Sequence, residues 1–278
     1  MTNSNEWKKF SPETVQLLFT AVDVDDIVDE HASLPPFIDL QCSQENIRNN
    51  YALCLQFWED GFTRVELLRL VHKLLKGGDL SATERMQYKY IRSRYKHLRF
   101  AQRLYSRKHQ SSLLFHHTTV LLGHFQDAFR NGKKDTIMFY GKILRIYLSM
   151  PVWMLAHYAL RHTCLDRDNG FIAYRQEQMR TLRTLIAKPL LTGREFHGVR
   201  KVISQQVSYY DTLRSIEPSN QDAYRISRFL ANINGLMGDR HDEMVADKLA
   251  GRKPYDEPAL LDINIRQRLE LLLARYPL

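Results

Sequence analysis

Four times along the chain a hydroxyl residue is followed three positions later by an acid, each time just ahead of a run with apolar residues at helical spacing. The four are Thr63-Arg64-Val65-Glu66, Ser81-Ala82-Thr83-Glu84, Thr192-Gly193-Arg194-Glu195 and Ser219-Asn220-Gln221-Asp222. In such a capping box the hydroxyl accepts a backbone N–H of the first turn and the acid reaches back to the cap, so two orphan donors are satisfied at once. Ser11-Pro12-Glu13 adds a fifth start, with proline at the first helical position. Stops follow: Gly77-Gly78 and Asn131-Gly132 end helices, Asp166-Arg167-Asp168-Asn169-Gly170 reads as a turn, and Pro189, Pro218 and Pro254 punctuate the remainder. With only 12 Gly and 9 Pro in 278 residues, long helices joined by short turns are the expected build, and a many-stranded fold is not. The expected class is all-α: two pseudo-symmetric helical bundles of about nine or ten helices in all, with an N-terminal helical extension. The expected division is 1–80, 81–190 and 191–278, the last two forming one compact unit.

Charge is unevenly spread. The net charge is +9, and segment 82–108 holds nine Lys or Arg against the single acid Glu84. Arg85, Lys89, Arg92, Lys96, Arg99, Arg103 and Arg107 step by three or four residues, which places them in one stripe along a helix ~33 Å in extent. Like charges at that spacing repel by a few tenths of a kcal/mol per pair, so the stripe calls for an anion, from the fold or from a ligand. Tyr88, Ile91, Tyr95, Leu98 and Tyr105 form a second stripe beside it, suited to a core or, for the tyrosines, to stacking on bases. Arginine's planar fork of donors favours phosphate.

A second feature is an internal match at an offset of 115 residues. Leu122-Gly123 with Asp127 corresponds to Met237-Gly238 with Asp242. A glycine inside a helical pattern marks a close helix crossing, and the aspartate four residues on is placed to meet a cation of a neighbouring helix. About forty residues ahead of each glycine stands a cation-bearing helix, with Arg85, Lys89 and Arg92 in the first half and His197, Arg200 and Lys201 in the second. The arrangement resembles the CHAD family, the conserved histidine α-helical domain, whose halves each carry His-x-x-Arg-x-x-x-Lys-x-x-Arg-Tyr followed by Leu-Gly-x-x-x-Asp. Here the second half keeps His197-x-x-Arg200, with Tyr209 or Tyr210 near the family's aromatic, then Met237-Gly238-x-x-x-Asp242. The first half keeps Arg85-x-x-x-Lys89-x-x-Arg92, then Leu122-Gly123-x-x-x-Asp127. Ala82 replaces the first histidine, and Ser204 and Val207 replace the second half's Lys and Arg. The match covers roughly 80–275. The resemblance implies two packed helical bundles with a basic surface or channel that binds inorganic polyphosphate without chemistry.

Other functions leave no trace. The three cysteines, Cys42, Cys54 and Cys164, fit no zinc spacing and read as reduced, mostly buried thiols. The acidic segment 23–30 lacks the glycine and distal glutamate of a calcium loop and reads as a helix end before an extended linker. His116, His117 and His124 with Asp127 form no metal motif, Lys76-Gly77-Gly78 is no phosphate loop, and no nucleophile, base and oxyanion donor assemble. No helix-turn-helix or zinc finger is legible. The N-terminus carries no signal-peptide core. The apolar stretch 146–160, with Pro151 and His157 inside it, is too short to span a bilayer and is expected as a buried central helix. The expectation is a cytoplasmic, non-enzymatic protein without metal or cofactor. Its polyanion site would comprise Arg85, Lys89, Arg92, Lys96, Arg99, Arg103, His197, Arg200 and Lys201, and polyphosphate is the first ligand. Nucleic acid, with the chain as a subunit of a larger assembly, and an acidic protein partner are the alternatives.

Overall fold

The fold is all-α, as the caps require. A computed structural model describes residues 6–29 and 31–277; it is 71% helical, with eleven helices and two strands of two residues each. In chain order the helices are α1 (Pro12–Asp23), α2 (Gln44–Glu59), α3 (Arg64–Leu75), α4 (Ala82–Tyr105), α5 (Leu113–Arg130) and α6 (Lys134–Tyr147). They continue with α7 (Met150–Arg161), α8 (Asp168–Ile186), α9 (Gly193–Ile216), α10 (Gln221–Leu249) and α11 (Ile263–Arg275). Three reciprocal capping boxes form as read, at Thr63 and Glu66, Ser81 and Glu84, and Thr192 and Glu195. The fourth start shifts by one residue, because the Asn220 side chain and not Ser219 accepts the Ala223 N–H, at 2.9 Å. The stops at Gly77 and Gly132 are left-handed residues, with φ of 78° and 62°. The expected turn at 166–170 is shorter than read, since α8 already begins at Asp168. Glu30 and the first five residues lie outside the described residues, so the acidic segment is seen only as far as Asp29.

The chain forms two compact units, 1–11 with 47–166 and 12–46 with 167–278. Residues 12–46, read above as part of an N-terminal region, thus fold with the C-terminal one.

The first unit has an aromatic core. Trp58 of α2 stacks on Trp153 at 5.1 Å and meets Tyr95 and Phe115 edge-on, each at 5.6 Å. His97 is buried against Phe57. Burial and the neighbouring Lys96 and Arg94 push its imidazole down to about 3. Arg94 lies over the Phe57 ring, donates to the Phe57 carbonyl at 2.7 Å, and fills the space that the missing side chain of Gly61 leaves. The last carbonyls of α7 are capped by side chains from far away: the Trp7 indole donates to the Arg161 carbonyl at 2.8 Å, and the Tyr51 hydroxyl to that of Leu160 at 2.8 Å.

The apolar stretch 146–160 is not one buried helix. It breaks at Leu148 and Ser149, where α6 ends and α7 starts, and only Leu148, Ala156 and Leu160 of its apolar side chains are buried. Pro151 sits in the first turn of α7, where its missing N–H costs nothing, so the proline starts a helix here. Among the described residues no single helix is long and apolar enough to cross a membrane; α6 and α7 approach that only as a pair bent by 66°.

The second unit is built on α9 packed along α10, with α1, α8 and α11 around them. A two-residue antiparallel ladder pairs Leu190 with Leu260 and Leu191 with Ala259. Its core sets polar side chains among apolar ones such as Phe171, Val199, Ile203, Phe229 and Met237: Gln205, Gln206, Ser208, Asp211, Thr212, Ser215, Ser227, Asn232 and Asn234 are all buried. Asp211 accepts from Ser227 at 2.6 Å and lies 3.3 Å from Arg214, and burial still pushes its carboxyl up to about 7. Arg175 is fully buried with no carboxylate within 4 Å among the described residues. Its guanidinium lies 4.0 Å from the Tyr209 ring and donates to the Tyr210 hydroxyl and the Gln206 carbonyl oxygen, at 2.9 and 3.1 Å. Segment 24–29, a turn after α1 that runs on as irregular chain, is bound along α10 through its backbone. Asn232 and Asn234 donate to the carbonyls of Asp29 and Asp25, and Gly235 admits the Asp26 carbonyl where any Cβ would collide with it.

Candidate functional site

Helix α4 carries most of the predicted site. Ser81 caps it, Glu84 closes the box, and Tyr88, Ile91, Tyr95, Leu98 and Tyr105 are buried, so the second stripe is core. Burial of these rings against α5 and α2 sets the phase of the helix and turns the cations the other way. The helix ends at Tyr105, two residues before the stripe's last cation. Arg107 is therefore off the helix, with its N–H donating to the Cys164 carbonyl at 2.9 Å.

The remaining cations divide by environment. Arg85 is satisfied inside the fold: it pairs with Asp79 at 2.5 Å, donates to the Leu80 carbonyl and lies over the Phe129 ring. Lys89 is exposed, and the Lys96 ammonium sits over Phe100. Arg92, Arg99 and Arg103 are half-buried, and none has a carboxylate within 4 Å among the described residues. Arg92 donates to the Gln126 carbonyl oxygen at 3.1 Å. The buried Nε atoms of Arg99 and Arg103 have no hydrogen-bond partner among the described residues. Burial, and the like charges of Arg103 and Arg92, pull the Arg99 guanidinium below its ordinary value. Three guanidiniums held partly out of water and beside one another are an arrangement that an anion relieves.

The repeated glycines take on a specific role. A Cβ at Gly123 would meet the Arg92 guanidinium at 3.3 Å, and one at Gly238 would meet that of Arg200 at 3.1 Å. Each half thus lays an arginine of its cationic helix across the glycine of the next one. The arginines are not the pair that the 115-residue offset matches: Arg200 corresponds to Arg85, whereas Arg92 lies two turns further along α4, on the same face. The repeated aspartates do not pair across helices as expected. Asp127 is exposed without an ion pair among the described residues, and Asp242 is exposed beside His241. In the first half Gln126, one residue earlier and facing inward, takes the contact with Arg92.

In the second unit, His197 on α9 lies against His241 on α10 with ring centroids 5.3 Å apart, and His241 meets Tyr255 edge-on at 5.9 Å. Arg200 is half-buried one turn beyond His197, without an ion pair among the described residues, and Lys201 is exposed. His241 and Tyr255 were missed as members of this cluster. His241 had a legible signal, three residues after Gly238, while Tyr255 arrives through a loop that no periodicity marks. No three His, Cys, Asp or Glu side chains among the described residues converge as for a metal ion. No protein-family model, curated protein or solved structure matches the chain.

Proposed function

We propose that this protein binds a polyanion without chemistry, through the arginine face of α4, and that inorganic polyphosphate or a similar phosphate chain is the ligand. The observation that carries this reading is the trio Arg92, Arg99 and Arg103, half-buried and lacking acidic partners among the described residues. Arg85, Lys89 and Lys96 continue the same helix. His197, Arg200 and Lys201 form the second cationic set. The family resemblance points to the same ligand class. Single-stranded nucleic acid fits less well, because Tyr88, Tyr95 and Tyr105 are at most 1% exposed and offer no face for a base.

Binding would proceed by cation pairing with counterion release, so affinity falls steeply with salt. The test is a titration of fluorescent long-chain polyphosphate, repeated with unlabelled polyphosphate and single-stranded oligonucleotide as competitors. Arg99→Gln with Arg103→Gln is expected to weaken binding at least 10-fold and to flatten the salt slope. Unchanged affinity in that variant overturns the reading, and stronger competition by the oligonucleotide reassigns the ligand.

A further inference from the structure

The elbow of α6 and α7 is unexplained by a polyanion site on α4. Phe139, Ile146, Met150, Met154, Leu155 and Tyr158 are each between 53% and 64% exposed. Met150, Met154 and Tyr158 follow one another at i, i+4 and i+8, so they form a continuous stripe along α7, and Ile146 precedes it across the break. Scattered exposed apolar side chains are ordinary, but six on two consecutive helices, three of them in one stripe, are the kind of surface that docks a partner.

The surrounding charge identifies what docks. Segment 128–165 contains six Lys or Arg and one acid, Asp135. Lys133, Lys134, Lys142 and Arg145 are exposed, and none forms an ion pair among the described residues. Lys142 and Arg145, with Lys76 and His72 of α3 and Leu75 and Met138, line a groove of about 350 Å3 whose lining has no acid. Long cationic side chains at the edge of an apolar surface, with aromatic rings among them, match a bilayer interface. There the apolar side chains enter the acyl boundary while lysine and arginine stems reach up to the phosphates. Unbranched Met at two of the stripe positions suits a fluid partner that imposes no fixed shape.

We propose that the α6–α7 elbow docks the protein on an anionic phospholipid surface, with lipid phosphates held by Lys142, Arg145 and Lys76 and the α7 stripe inserted beneath them. Neither helix spans: α6 is 14 residues long and α7 12, and the 66° bend lets both lie against the surface. This proposal is independent of the polyanion site on α4.

The test is co-sedimentation of the full chain with vesicles of phosphatidylcholine alone or with about a third of phosphatidylglycerol, at low and high salt. The wild type is expected to bind only the anionic vesicles at low salt. Lys142→Glu with Arg145→Glu, and separately Met154→Glu with Leu155→Glu, are each expected to weaken binding at least 10-fold. All four side chains are exposed, and unchanged thermal melts verify folding. Arg99→Gln with Arg103→Gln is expected to bind vesicles as the wild type does. Equal binding of wild type and elbow variants overturns the proposal, as does loss of binding confined to the α4 variant. Absence of vesicle binding together with a concentration-dependent dimer that Met154→Glu abolishes overturns it in favour of a second copy on the same face.

Discussion

Helices α4 and α9 are both 24 residues long, open with the same reciprocal cap, and precede a helix whose glycine lies under an arginine, yet α9 buries many more polar side chains than α4 does. On α4 the buried face is mostly aromatic and aliphatic, and the polarity is spent on a half-exposed row of cations. On α9 the buried face carries Ser204, Gln205, Gln206, Ser208, Asp211, Thr212 and Ser215, which bond inward to α8, α10 and their own helix. A helix needs only its ends and its period to form, so one frame accommodates a mostly apolar interior and one in which hydrogen bonds are threaded among apolar side chains. The difference shows where each is vulnerable: α4 to lost volume and to acid, α9 to lost partners and to base.

The largest expected effect tests that contrast directly. Tyr95→Ala, which empties the space between Trp58 and Phe115, is expected to cost about 3–5 kcal/mol, in the range of other large aromatic truncations. Ser215→Ala on α9 removes one bond to the Asp211 carbonyl and is expected to cost about 1 kcal/mol. Urea titration of both variants measures the gap, and equal losses would remove the distinction between the two interiors.

Next comes pH, where the two units are expected to respond in opposite directions. His97 refuses a proton until about pH 3 in the folded chain, whereas an ordinary histidine takes one at 6.5. The unfolded chain therefore binds the proton more readily, and this contribution to stability is whole above 6.5 and lost as pH falls toward 3. Asp211 keeps its proton up to about 7 when folded, against 3.8 ordinarily, so its contribution is whole below 3.8 and lost as pH rises to 7. Amide exchange followed separately on α4 and α9 across this window is expected to show protection falling with acid on α4 and with base on α9. Asp211→Asn is expected to flatten the α9 profile and His97→Gln the α4 profile; a slope that survives its own substitution excludes that residue as the cause.

Capping is expected to erase the difference. Ser81→Ala and Thr192→Ala remove the same two-way contact from the two helices and are each expected to cost about 1 kcal/mol, measured by thermal melts. The smallest expected stability effect is at the repeated glycines. Gly123→Ala meets only the flexible end of Arg92, and alanine favours a helix by up to about 1 kcal/mol, so stability is expected to hold or rise. The displaced guanidinium is expected to weaken polyphosphate binding all the same, and a titration of Gly123→Ala checks that.

Most of this architecture was legible where its cause is local. Caps, stops and the phase of α4 depend on residues within a turn of one another, so Thr63, Ser81, Thr192 and the buried tyrosines were readable. The placing of Asn220 turned on one side chain's reach, which spacing does not resolve. The elbow was misread because hydropathy reports what a side chain prefers and not whether the fold gives it a partner. Arg175 was invisible for a related reason, since its surroundings of Tyr209, Tyr210, Tyr276 and Gln206 come from segments 31 to 101 positions away. The trio on α4 was half legible: the spacing placed the arginines on one face, but the ion pair with Asp79 that separates Arg85 from the equally half-buried Arg92, Arg99 and Arg103 depends on how the loop before α4 folds back.

The long-range caps on α7 have a consequence for handling the protein. The indole of Trp7 holds a carbonyl 154 positions downstream. A protease that clipped the chain just after Phe10, or an expression tag that pulled this segment away, would fray the last turn of α7. Truncations chosen to tidy the N-terminus would then alter the elbow, and a loss of vesicle binding after such trimming would report the missing tryptophan.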